Sequence, residues 1–128
     1  MDEILGLISG GIWSTRPVSA QPSLTAVRWQ IRQTLDGQRH VVGYVPENRE
    51  GRVSSAIATF DPASMRCVTS TGRVYQLQGP PGGDSDAEYV WNAWTRINRV
   101  TEWSDVTAEV WAARVDLHKP AARGSKGG

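Results

Sequence analysis

His40, Cys67 and a nearby acid are the residue types that activate a thiol for acyl transfer, the base taking the thiol proton and the carboxylate orienting the base. No spacing in the chain brings them together, and a lone Cys in a β-favouring run reads as a small core residue. No catalytic residue is assigned. Asp84, Asp86 and Glu88 alternate after a glycine-rich stretch and could offer carboxylate oxygens to Ca2+ or Mg2+. They lack the other ligands of an EF-hand loop, and acids are what the exposed N–H groups of a helix start attract. No metal site is assigned, and no second acid is implied at the separation that glycoside hydrolysis requires. Gly79-Pro80-Pro81-Gly82-Gly83 precedes a helix as a phosphate cradle would, but it lacks Gly-Lys-Ser/Thr and two of its positions are prolines without an N–H. It reads as a stiff linker. No cofactor is implied.

Two sets of residues suggest binding in place of catalysis. Arg28, Arg32 and Arg39, extended by Arg52 and Arg49, share one face of a predicted hairpin and the strand after it, where they could meet the phosphates of nucleic acid. Tyr89, Trp91 and Trp94 belong to a helix whose apolar arc is too wide for one-sided packing, and Trp111 falls off the apolar face of the segment that follows. Exposed aromatics are the usual anchors of protein interfaces, so these four residues form the candidate protein-interaction surface.

The elements that position these residues follow from periodicity. From Leu24 to Val45 β-favouring residues alternate on both sides of Asp36-Gly37, which a two-residue type I′ turn prefers. With Leu35 opposite Gln38, Ile31 pairs with Val42 and Trp29 with Tyr44 on the core face. The arginines then share the other, solvated face with Val41 and Val45. Arg52 to Phe60 reads as a third strand. Arg66 to Ser70 and Arg73 to Gln78 flank Thr71-Gly72 as a second hairpin, with Val68 opposite Tyr75. Ser85 and Glu88 form a capping box for a helix from about Asp86 to Val100. Its apolar positions cover about 200° at 100° per residue, roughly twice what a surface helix needs. Asp105 to Leu117 fits either a helix or a strand, with length and a Ser104 or Asp105 cap favouring helix.

The fold class expected is α+β: a five-stranded antiparallel sheet or partly closed barrel built from hairpins, then one or two C-terminal helices. Residues 1–117 form one domain, divided into an N-terminal segment (1–23), a sheet (24–78) and a helical region (85–117). Residues 118–128 read as a disordered tail. At 128 residues with six Trp, the chain can fill one core without disulfides or metals.

Net charge is +1, which excludes a surface built throughout to attract polyanions. The charge is nevertheless divided: residues 23–83 hold seven Arg against four acids, and 84–116 hold seven acids against three Arg. The single Cys implies no disulfide and points to the cytoplasm, Asp2-Glu3 stands where a signal peptide would be basic, and no run approaches the ~20 apolar residues of a membrane span. Usage of Arg, Ala, Gly and Trp suits a bacterium with a GC-rich genome or its mobile elements. The expectation is a non-enzymatic protein-interaction or regulatory module whose partner is another protein or a second copy of the chain. The alternative is a small β-barrel that binds nucleic acid through Arg28, Arg32, Arg39 and Arg52.

Overall fold

A computed structural model of the chain describes residues 17–114. The N-terminal apolar residues Leu5, Leu7 and Ile8, the end of the last predicted element at Leu117 and the tail 118–128 lie outside the described residues. Within them the elements run β1 (Ser23–Thr34), β2 (Arg39–Val45), β3 (Glu50–Val53), β4 (Ile57–Asp61), β5 (Arg66–Thr69), β6 (Val74–Leu77), α1 (Ser85–Ile97) and β7 (Trp103–Asp105). A second helix, α2, occupies residues 107–114. The strands form one mostly antiparallel sheet in the order β3-β2-β1-β6-β5-β4, open between β3 and β4, with β7 added to β1.

The α+β class and the antiparallel hairpins agree with the sequence reading, but there are seven strands, not five, and β1 pairs with β6 in parallel. The 12 residues of β1 are long enough to serve two neighbours. Residues 23–26 pair with β6 and residues 32–34 with β7, both on the edge opposite β2. The predicted third strand is also two strands. At the break, Ser54 Oγ accepts from the Val41 N–H (2.9 Å) and donates to the Ser55 carbonyl (2.7 Å), so a side chain takes over bonds that a continuous ladder would make.

Both hairpins differ from the predicted register by one residue, for one reason. Thr34-Leu35-Asp36-Gly37 and Thr69-Ser70-Thr71-Gly72 each enclose three loop residues, not two, with the glycine left-handed at φ 88° and 93°. The Thr34 N–H donates to the Gln38 carbonyl and the Thr69 N–H to the Arg73 carbonyl, the arrangement of a type I turn closed by a glycine bulge. Each Thr hydroxyl bonds the side chain two residues on, Asp36 or Thr71. Ile31 therefore pairs with Val41, Gln30 with Val42, and Cys67 rather than Val68 with Tyr75. The predicted pairs Trp29–Tyr44 and Ile31–Val42 are not formed.

A second departure lies inside β1. The ladder shifts between Val27 and Gln30, where Arg28 is left-handed at φ 47°. This bulge inverts the alternation: Leu24 and Ala26 before it, and Trp29 and Ile31 after it, all enter one core with Val41, Val45, Cys67, Tyr75 and Leu77. Val42 and Val53 face the other way, against Ala87, Val90, Trp91 and Trp94 of α1. The face expected to be solvated is therefore split: Val41 and Val45 join the first core and Arg32 lies against α1, while Val42, expected on the core face, turns to α1, so the sheet is buried on both sides.

Helix α1 begins at Ser85, one residue earlier than predicted, and its cap moves with it. Asp84 is the N-cap, its carboxylate accepting from the Ala87 N–H at 3.0 Å. Glu88 does not turn back to close a capping box but reaches Arg32. The wide apolar arc is covered on a second side by β7, whose Trp103 meets Trp91 edge-on at 5.2 Å. At the end of β7 the Asp105 carboxylate accepts from the Thr107 N–H (2.8 Å), and the ambiguous segment is helical over 107–114. Val110 of α2 is buried and Trp111 packs on Trp29 at 5.9 Å, so Trp111 belongs to the rim of the core.

Candidate interaction surface

The residues proposed for nucleic acid are engaged within the fold. Arg32 is 5% exposed beneath α1. Its guanidinium pairs with Glu88 (2.7 Å) and lies 5.2 Å and 4.6 Å from the ring centres of Trp91 and Trp103. Arg52 is equally buried, bonded to Glu50 (3.0 Å) and to the Tyr75 hydroxyl (2.7 Å). Arg28 is exposed but bridges to Asp84 (2.9 Å) over the Tyr44 ring, and half-buried Arg39 bonds Gln33 (2.8 Å) and Glu109 (2.9 Å). These arginines do not share a free face.

The proposed interaction residues also separate. Trp91 and Trp94 are buried and stacked on each other at 5.1 Å, and the His40 ring lies tilted against Trp94 at 4.6 Å. Trp111 is half-buried. Of the four, only Tyr89 is exposed, at 63%.

Two of the three acids weighed as metal ligands have structural partners: Asp84 caps α1 and holds Arg28, and Glu88 holds Arg32. Among the described residues no group of three or more His, Cys, Asp or Glu is placed to hold a metal ion. Cys67 lies in the core, where burial pushes its thiol up to about 12, far from the range of a reactive thiolate.

The open surface is instead at the end of the sheet that carries the β1–β2 turn. Leu35 is 80% exposed because the first position of the three-residue loop points its side chain away from both cores. Beside it, Trp103 is 41% exposed, held from behind by Arg32 and Trp91. Leu35 divides two concavities. The larger, about 540 Å3, has His40, Trp94 and Ser55 in its lining, with Thr71 from the β5–β6 turn and Arg99 and Glu102 from the segment after α1. His40 donates from Nδ1 to the Ser54 carbonyl (2.9 Å). The smaller concavity, about 240 Å3, is formed by Gln33, Thr34, Leu35, Glu102, Trp103 and Ser104.

Arg99 and Glu102 make no side-chain hydrogen bond or ion pair within the described structure. Asp36, also in the larger lining, is held below the usual carboxylate range, chiefly by the Thr34 hydroxyl and then by the Gln38 N–H. Sequence reasoning missed this surface. Its one local signal was Leu35, an apolar residue at a turn position that cannot reach a core.

No protein-family model, curated protein or solved structure matches the chain.

Proposed function

We propose that the protein is a non-enzymatic interaction module that receives another polypeptide on the Leu35–Trp103 end of its sheet. The observation that carries this reading is the placement of two large exposed apolar side chains, Leu35 and Trp103, around paired concavities. Leu35 supports no core, and exposed apolar side chains beside a groove are a frequent mark of recognition surfaces. Of the residues first proposed for interaction, Trp94 lines the larger concavity and Trp91 backs Trp103, whereas Tyr89 is exposed on α1 and Trp111 packs against Trp29. The nucleic-acid alternative has less support, since Arg32 and Arg52 are buried.

An accessory or regulatory role in a bacterium or a mobile element, in the cytoplasm, belongs to the same proposal and rests on composition and the lone Cys67. Among the described residues no helix is long and apolar enough to cross a membrane.

A photo-crosslinking residue at position 35, with a control at exposed Thr59 on β4, tests the reading in the cells that make the protein. A defined polypeptide adduct at position 35 and none at 59 is expected. No adduct at 35, or the same adducts at both positions, would sink it.

A further inference from the structure

We infer that the occupant of this end is an extended peptide segment of a partner protein, added as a strand to β7, with a lysine or arginine seated against Trp103 and Glu102. The inference rests on the interaction reading above and names the chemistry of its partner.

Strand addition follows from the free edge of β7. All three of its residues are exposed, it bonds β1 on one side, and no described strand pairs with the other. Val106 donates to the Ile31 carbonyl, and in the register Gln33↔Ser104 hydrogen-bonded pairs alternate. The backbone groups of Trp103 and Asp105 are therefore directed outward. Such an edge is a template for an extended chain.

The side-chain preference follows from charge. Glu102 is the single charged residue in the lining of the smaller concavity, and no partner neutralises it within the described structure. Trp103 is beside it, an indole being the best aromatic face for a cation. Its inner neighbour Arg32 is paired with Glu88, so an incoming cation does not meet an uncompensated one. Leu35 lines the same concavity and can cover the aliphatic stem of a lysine or arginine. An acidic side chain in the smaller concavity would face Glu102, while Arg99, like Asp36, lines only the larger concavity across Leu35.

The test is selection of nine-residue peptides from a random display library on the full chain, followed by affinity measurement with the wild type, Glu102→Gln and Leu35→Glu. The inference expects enrichment of Lys or Arg, about tenfold weaker binding to Glu102→Gln, and slowed amide exchange at Trp103 and Asp105 in the complex. Peptides that lose binding to Leu35→Glu but carry no basic residue, or bind Glu102→Gln unchanged, overturn the inference and leave the interaction reading standing. Unchanged exchange at β7 overturns the strand addition. If no selected peptide responds to Leu35→Glu, both readings fall.

Discussion

Gly51 of β3 lies so close under Ala87 of α1 that a Cβ on it would come within 2.2 Å of the Ala87 nitrogen. The first turn of α1 therefore rests on the bare backbone of β3, the close approach that only glycine permits. This contact sets how deeply Trp91 and Trp94 enter their core.

Gly51→Ala is expected to destabilise the protein by about 3 kcal/mol, because the obstructing atoms are backbone and cannot move aside as a flexible side chain would. Gly37→Ala is expected to cost about 1 kcal/mol, since open space surrounds a Cβ there and only the left-handed φ opposes it. Urea unfolding of the two variants should preserve that order. Equal losses would contradict the close packing at Gly51.

Removing one partner of the Arg32–Glu88 pair should have unequal consequences. Glu88→Ala leaves a buried guanidinium without its carboxylate, while Arg32→Met leaves a half-exposed carboxylate in water. Arg32 Nε already lacks a hydrogen-bond partner, so the apolar replacement also relieves a desolvation cost. Losses of about 1–3 kcal/mol for Glu88→Ala and under about 1 kcal/mol for Arg32→Met are expected from thermal or denaturant melts. The reverse order would mean that Arg32 acts mainly through its stacking on Trp91 and Trp103.

The β1–β2 turn should report on Asp36. Its carboxyl is held below the usual range mainly by the Thr34 hydroxyl, so Thr34→Val is expected to move the Asp36 titration, followed by NMR, toward higher pH. An unmoved titration would show that the hydroxyl does not set the turn chemistry.

Cys67 gives a dependence on alkaline pH. Its thiol is raised from 9.0 to about 12 by burial, so the folded protein favours the neutral form. That stability is complete below pH 9 and is lost as pH rises from 9 toward 12, by about 1.4 kcal/mol per pH unit at most. Cys67→Ala should flatten this part of the stability profile at the cost of a small cavity. An unchanged profile would place the alkaline titration elsewhere. In the native protein at neutral pH, thiol reagents should react with Cys67 only as fast as the core opens.

The sequence by itself determined the α+β class, the two hairpins and the helix that follows the glycine-proline linker. Each depends on local chemistry: alternation of β-favouring residues, a glycine at each turn, an acid at the helix start. It also showed that α1 needed cover on a second side.

Only the tertiary structure decided the register and the faces. Two- and three-residue turns share the same Asp-Gly or Thr-Gly signal, and the left-handed bulge at Arg28 changes which residues face the core without changing any residue type. The parallel β1–β6 pair joins residues about 50 positions apart, beyond any periodicity. Burial of Arg32 and Arg52, and exposure of Leu35 and Trp103, follow from those long-range choices. Arginine and tryptophan carry both apolar and polar surface, so their own chemistry permits either side of a sheet, and the packing around them chose.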